Sequence, residues 1–465
     1  MAAGAEQEIY DAIILGTGIK ESILAGLLSN SGAKVLQMDA SPVYGSSSRT
    51  IQYADFVQEM RAKYPAQMQF KHAFGELEAA KIYIDLTPKI FLADEGLIKV
   101  IAEHNLAHCI DFSIITEQYI IKDNSAPILI PTTKTAALTS QLCGPLQMLK
   151  LHKFVNMIKG FYNATESEKA AITAQWKCVE ELYNYYGISQ SLRGIIGHGI
   201  ALYPSSGYLQ EEPSEFIHRL TTYFKSVARI NGEKTGGNSP FLYPKYGISE
   251  ISQGFARLSA VKGGVTRMAT SILAMNREED RYALSLRSEG EQDDLVYGKT
   301  IIANDQYYAT IPNSVRRKVR TVRGVFILHS LPNARSKQAM IITPGRAGIF
   351  LLVVGKDEEM CPEGYSIAYI TAEYDGPVDG VDQVISSIEV PPFLKEIAAP
   401  AVNQIYAWKY SIMQQFLWID EAYEGIEKLD PNVICLQPMD NTVDFRSVLS
   451  EVQSVHKLFS TRTSV

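Results

Sequence analysis

The N-terminal stretch up to Asp39 constrains the fold more than any other part of the chain. Tyr10 to Leu15 is a predominantly apolar run that reads as a buried parallel strand. Gly16-Thr17-Gly18 turns it into a helical segment, Ser22 to Leu28, and Lys34 to Met38 is a second strand ending at Asp39. Glycines at a strand-to-helix turn, with an acid about 20 residues on where a ribose hydroxyl would sit, outline a dinucleotide-binding βαβ unit. The fold class that follows is α/β.

The same stretch argues against the ligand. Gly16 and Gly18 supply the first two glycines of G-x-G-x-x-G, but the third position is Glu21. A glycine there lets the helix pack close to the strand and lets a diphosphate reach the helix N-terminus. A carboxylate brings bulk and like charge instead. Lys20 is expected to offset part of that charge but none of the volume. After Asp39 the chain enters a loop, Ala40-Ser41-Pro42-Val43-Tyr44-Gly45, and continues as Ser46-Ser47-Ser48 where flavin enzymes of this shape carry a glycine pair and an arginine. Retention of the shape without its nucleotide is the expectation.

A second informative stretch runs from Pro244 to Ala260. Gly247 breaks what precedes it, Ser249 is placed to cap a helix, Glu250 sits where a helix N-terminus favours negative charge, and Gly263-Gly264 ends the run. Ile251, Phe255 and Leu258 recur at helical spacing as a stripe for burial. Glu250, Gln253 and Arg257 recur on another stripe, so an acid, an amide and a guanidinium share one face. Taken alone, that face is an ordinary solvated one with an internal ion pair.

The 465 residues suffice for two or three domains. A net charge of -7 without a Lys/Arg run argues against nucleic acid. Five scattered cysteines and eight scattered histidines give neither a disulfide frame nor metal-ligand spacing. Met1 to Ile9 does not read as a signal peptide and no apolar run is long enough to span a bilayer. Ala2 excludes N-myristoylation, and the terminal Thr461-Arg462-Thr463-Ser464-Val465 lacks a prenylation cysteine. A cytoplasmic protein without lipid of its own is expected. His198, between Gly197 and Gly199, is the best lone catalytic candidate, yet no Asp, Ser or Cys partner is identifiable for it.

Between Thr132 and Arg229 the texture becomes helical. Three apolar stripes stand out: Leu151, Phe154, Val155, Ile158, Phe161 and Tyr162; then Trp176, Val179, Leu182, Tyr183 and Tyr186; then Phe216, Ile217, Leu220, Tyr223, Phe224 and Val227, after Pro213 in a first-turn position. A small all-helical domain inserted into the larger one follows. Strand-like runs recur from Tyr282 onward, at Tyr282–Leu286, Thr300–Ala303, Gly324–Leu328, Met340–Ile342, Ile349–Val354 and Ile367–Ile370, and Val448 to Phe459 reads as a terminal helix.

Leu15-Gly16-Thr17-Gly18, Glu21, Met38-Asp39 with Pro42 and Tyr44-Gly45, and the block Tyr243-Pro244, Tyr246-Gly247, Glu250, Gln253 to Ala260 together resemble the Rab GDP dissociation inhibitors; the related Rab escort proteins share both blocks. Weaker similarity includes Asp85-Leu86-Thr87-Pro88-Lys89, Gly197 to Tyr203 and Ser288-Glu289-Gly290. The resemblance implies a flavoprotein-like FAD/NAD(P)-binding fold that holds no flavin or other cofactor, with α+β character because its large domain is discontinuous: residues 1–131 with 230–443, an inserted helical prenyl-binding domain at 132–229, and a C-terminal helix and tail at 444–465. It implies a regulator rather than an enzyme, a monomer that binds GDP-bound geranylgeranylated Rab GTPases and touches membrane surfaces transiently. Position by position, Tyr44, Glu250, Gln253 and Arg257 match a Rab-binding platform, and Arg229 matches a basic residue of a mobile loop that meets the Rab's C-terminal segment. That loop carries an insertion here, 231–238, which reads as flexible. Three departures stand out: Ser46 replaces a second glycine after Tyr44, Ala40 a charged residue, and Arg267 a methionine of the platform. An escort protein is the alternative, which chain length disfavours, and a flavin-dependent amine oxidase the enzymatic one, which Glu21 disfavours.

Overall fold

The computed structural model describes residues 8–63, 81–122, 126–133, 144–232, 239–288, 292–311, 316–331, 334–342, 348–374, 392–425 and 430–463. Two seven-stranded sheets carry the chain. The first runs Val265–Arg267 (β10), Val35–Met38 (β2), Ile9–Leu15 (β1), Asp294–Ala303 (β13), Arg281–Ser288 (β12) and Thr270–Glu278 (β11), with Val433–Cys435 (β19) also pairing with β13. β10, β2, β1, β13 and β19 are parallel, and β12 and β11 return antiparallel. Ile13 of β1 lies in register between Leu36 and Ile301. An interior parallel strand covered on both faces must be apolar throughout, which explains the run that announced it.

Helix α1 (Ile19–Asn30) makes the crossover from β1 to β2, starting a turn earlier than the sequence suggested because Gly18 leads straight into it. Almost all of α1 is buried, Lys20, Glu21 and Ser22 included. Two later helices lie over it, α9 (Ser249–Val261) and α11 (Arg446–Thr463). Gly26 sits at the α1–α9 crossing: a β-carbon there would come within 3.0 Å of the Phe255 carbonyl oxygen. The Ser29 and Ser259 hydroxyls meet at 2.9 Å in the same interface.

The second sheet runs Ser411–Gly425 (β18), Arg316–His329 (β14), Tyr365–Glu373 (β17), Ile349–Val354 (β16), Lys337–Ile342 (β15), Glu117–Lys122 (β7) and Ile128–Leu129 (β8). The runs expected from Gly324 onward are the centres of β14 to β17, and β14 is long because it pairs on both edges, with β17 and β18. Helix α10 (Pro392–Ala407) covers one face, packing Ala398, Ala401 and Ile405 onto Val322, Phe326 and Leu417. Two small sheets complete the strands: Thr50–Gln52 (β3) with Tyr83–Asp85 (β4), and Phe241–Pro244 (β9) between Phe91–Leu92 (β5) and Phe112–Ile114 (β6). Helices α2 (Tyr53–Lys63) and α3 (Gly96–Glu103) follow β3 and β5.

The helical segment contains α4 (Pro145–Asn163), α5 (Glu166–Thr173), α6 (Val179–Tyr186), α7 (Gln190–Gly194), a π-helical turn at Ile195–Ile200, and α8 (Pro213–Gly232). Phe154, Ile158 and Phe161 bury the first stripe, and Phe216, Ile217, Leu220 and Tyr223 the third. Two residues depart from the pattern. Tyr162 is 45% exposed at the end of α4, and Trp176 lies in the connection before α6 rather than on it. A single buried apolar cluster continues from Ile14 through Phe91 and Tyr243 to Phe154, Tyr183 and Phe216, so helices and sheets share one core. Tyr223 of α8 donates to the buried Gln118 of β7 at 2.7 Å, which ties the longest helix to the second sheet. Of the expected loop 231–238, Asn231 and Gly232 end α8 and the rest lies outside the described residues. Among the described residues no helix is long and apolar enough to cross a membrane.

Candidate functional site

In a dinucleotide-binding fold the diphosphate rests on the first amides of the helix after β1. Here those amides are already bonded within the chain. The Thr17 N–H donates to Asp39 Oδ2 and to Ser46 Oγ, both at 2.9 Å, and the Ile19 N–H donates to Ser48 Oγ at 3.3 Å. Asp39, the acid expected to face a ribose, also accepts from Thr17 Oγ1 and Ser46 Oγ, each at 2.6 Å, while its other oxygen accepts from the Ser41 N–H at 2.9 Å. Ser46 holds its place with φ +46°, the left-handed backbone a glycine would take without strain, and its hydroxyl bonds are what that backbone gains.

Glu21 closes the seat. Its Oε2 would lie 2.4 Å from a β-carbon on Gly18, so the carboxyl folds back onto the turn. Burial pushes its pKa up to about 7, against hydrogen bonds from its own backbone N–H and from Asn304. Asn304 follows β13 and its amide leans over Gly16, whose φ of +111° and missing side chain leave the space. Lys20 offsets part of the Glu21 charge, as expected, but its ammonium makes its direct bonds elsewhere. It pairs with Glu451 of α11 at 2.5 Å and bonds the Gln437 carbonyl at 2.9 Å. The residues present do not fit a flavin's diphosphate.

The loop that fills the seat also reaches α9. Gly45 N–H donates to the Thr17 carbonyl at 3.1 Å, beside the half-buried Tyr44. A few residues on, the Thr50 N–H donates to Ser249 Oγ at 2.6 Å and the Ser249 N–H donates to Thr50 Oγ1 at 3.0 Å. Ser249 therefore does not cap its own helix; its hydroxyl serves β3, and Ile248 holds the N-cap position.

Asp85, fully buried on β4, pins this seam. It accepts from Thr50 Oγ1, from the Tyr243 hydroxyl and from the Ile248 N–H at 3.0 Å, and its own N–H donates to the Tyr369 hydroxyl at 3.0 Å. One residue thus joins β3, β9, the start of α9 and the second sheet, the first three through its carboxylate and the last through its backbone N–H. Burial raises its pKa to about 6. Its signal in the sequence was a single acid between Ile84 and Leu86, and no role followed from it. Asn304 was missed too, although it stands at the carboxyl end of a parallel strand, where ligands of open sheets bind.

From this seam α9 presents Glu250 half-buried and Gln253 and Arg257 exposed on one face. Burial pushes the Glu250 carboxyl up. The internal ion pair of the ordinary reading does not form: among the described residues Arg257 has no carboxylate partner. Tyr44, Glu250, Gln253 and Arg257 thus belong to two segments stitched at Thr50–Ser249. Arg229 is elsewhere. It is exposed in the last turn of α8 and donates to the Ala93 carbonyl at 2.8 Å, while Ala93 bonds Pro240 just ahead of β9. It is therefore tied to the chain just ahead of β9 rather than to the start of α9. Arg267 pairs with Asp294 at 2.6 Å.

His198 is buried in the π-helical turn, with Nδ1 2.6 Å from the Tyr203 carbonyl, and burial lowers its pKa. Its Nε2 lies 3.4 Å from the Ser206 hydroxyl, a serine neighbour that the sequence did not reveal. Among the described residues no cluster of His, Cys, Asp and Glu is placed to hold a metal ion. A groove of ≈ 380 Å³ opens between α4 and α8, lined by Ile158, Tyr162, Phe224 and Ala228 with Lys159 and Lys225 at its edge.

Fold and site together define a flavoprotein-shaped scaffold whose diphosphate seat is filled from within and whose exposed chemistry lies on a helix beside it. The family model described as GDP dissociation inhibitor matches residues 6–464, and the chain belongs to that family. A Rab GDP-dissociation inhibitor of Saccharomyces cerevisiae is 28% identical over 459 residues, covering 96% of this chain and 94% of that protein. The structure of a Rab GDI from Plasmodium falciparum matches at a TM-score of 0.77 and 22% identity, over 97% of this chain and 98% of that one. A putative protoporphyrinogen oxidase from Exiguobacterium sp. 255-15 matches at 0.52 and 12% identity, over 97% and 98%. The last two likenesses are likenesses of fold.

Proposed function

We propose that this chain is a Rab GDP dissociation inhibitor, which binds GDP-bound, geranylgeranylated Rab GTPases, slows GDP release and carries them off membranes. The observation that carries the reading is the seam: Asp85 and the reciprocal Thr50–Ser249 bonds hold the Tyr44 loop against the helix bearing Glu250, Gln253 and Arg257. In this reading those four side chains receive the switch surface of the GTPase. A partner that binds the GDP form more tightly than the nucleotide-free or GTP forms holds it there, because it shifts the equilibrium by its difference in affinity. In this reading Arg229 meets the GTPase's C-terminal tail rather than its switch surface.

The helical segment 132–229 is the reading's lipid-binding part, and the groove between α4 and α8 is the site we assign to the isoprenoid. Its ≈ 380 Å³ falls in the usual range of ligand pockets. A C20 chain loses ~0.8 kcal/mol of unfavourable hydration per buried CH₂-sized group, so such a groove competes with a bilayer for it. The complex is expected to be one chain to one Rab, formed by a monomer at the membrane surface and released into the cytoplasm.

The test is extraction. Stoichiometric wild-type protein should release a prenylated, GDP-loaded Rab from liposomes and slow its loss of a fluorescent GDP. Arg257→Ala and Tyr44→Ala should each weaken capture by about 1–3 kcal/mol, as interface anchors do. Unchanged extraction by both variants removes the docking face from the account.

A further inference from the structure

Tyr246 is a residue that the assignments above leave unused and that the fold holds under strain. Its φ is +65°, a backbone region that a bulky aromatic rarely enters. Its ring is 53% exposed, and among the described residues the side chain makes no hydrogen bond or ring contact.

The surrounding backbone is fixed on every side. Lys245 donates its N–H to the Asp111 carbonyl at 2.9 Å and pairs its ammonium with the Asp111 carboxylate at 2.7 Å. Tyr246 donates its own N–H to the Glu358 carbonyl at 3.0 Å, on the turn between β16 and β17. Gly247, at φ +98°, is so close to Thr50 and Asp85 that a β-carbon would approach both within 2.6 Å. Ile248 is held by Asp85. Strained backbone persists where its surroundings over-determine it, and it concentrates at functional positions. Here the same carboxylate that stitches the docking face also fixes the backbone presenting this ring. Val43, 50% exposed on the loop that carries Tyr44, supplies apolar surface on the other side of the seam.

We infer that Tyr246 is a further anchor of the docking face, taking apolar surface of the bound GTPase beside the contacts of Glu250, Gln253 and Arg257. The inference rests on the reading of this chain as a Rab binder. The chemistry of the side chain suits an anchor, since a tyrosine offers a large amphipathic ring with few rotatable bonds, and interface hot spots are enriched in it. A ring held ready in solvent loses little freedom when covered.

The backbone supplies a clean experiment. Glycine adopts φ +65° without strain, so Tyr246→Gly removes the ring while leaving the turn unstressed. In thermal melts of the full chain it should unfold no earlier than wild type. Its dissociation constant for a GDP-loaded prenylated Rab should rise about tenfold to a hundredfold, and Tyr246→Phe should stay within about threefold of wild type. Wild-type affinity in Tyr246→Gly, beside a weakened Arg257→Ala, overturns the inference and leaves the docking face standing. A wild-type chain that binds no GDP-loaded Rab overturns the underlying reading and this inference together.

Discussion

Glu21→Gln tests the idea that the nucleotide seat is filled by a carboxyl out of reach of water. The wild-type side chain is fully buried, and burial lifts its pKa from 4.5 to about 7. A shift of that size corresponds to ~3 kcal/mol of preference for the protonated form in the folded state. The sign follows directly. The folded chain holds this proton more tightly than the unfolded chain, so the stability it contributes is fully present below about pH 4.5 and is lost as pH rises through about 7. Glutamine keeps the shape and cannot ionise. Relative to wild type, the variant should therefore gain about 2–3 kcal/mol between pH 5 and pH 8.5. Urea unfolding at the two pH values measures this directly, with the midpoint and slope giving each free energy. The comparison cancels every other titrating group, because both chains carry them. An equal difference between variant and wild type at both pH values would refute the reasoning, since it would mean that Glu21 titrates like a carboxyl in water.

Two further substitutions probe the seam and the helix crossing. Asp85→Asn should destabilise the fold by about 1–3 kcal/mol at neutral pH, because one of the two acceptor oxygens becomes an NH₂ that faces either the Tyr243 donor or the Thr50 and Ile248 donors. It should also abolish the loss of stability that wild type shows as pH rises from about 3.8 through about 6, the range set by the raised carboxyl; unchanged curvature in a pH series of melts argues against the hub. Gly26→Leu should cost about 1–3 kcal/mol and weaken Rab capture as well, since the side chain meets the Phe255 backbone and must push α9 off α1. A variant with normal melts and normal extraction would mean that the crossing tolerates the wedge.

The sequence went furthest where structure is decided by near neighbours. The apolar run up to Leu15, the glycine turn and the strand ending at Asp39 specified β1, α1 and β2, because strand and helix periodicities and turn chemistry are properties of adjacent residues. The same local reasoning placed Glu250, Gln253 and Arg257 on one helix face. It went wrong where a side chain had a choice of distant partners. Ser249 looked like a cap and instead serves Thr50, and Lys20, whose charge does act on Glu21, makes its direct pair with Glu451, far along the chain.

By itself, then, the chain's order of residues determined a dinucleotide-type scaffold, a third-glycine position spoiled by a carboxylate, and a polar helix stripe whose role came from family resemblance alone. Only the tertiary structure decided that Asp39, Ser46, Ser48 and Glu21 bond the amides a diphosphate would need, and that Asp85 draws four separate segments into one seam. The physical reason is range. Hydrophobic periodicity repeats every two to four residues and can be read in a short window. The partners of a buried polar group are chosen by whichever donors the folded core brings within about 3 Å, and these come from anywhere in the chain.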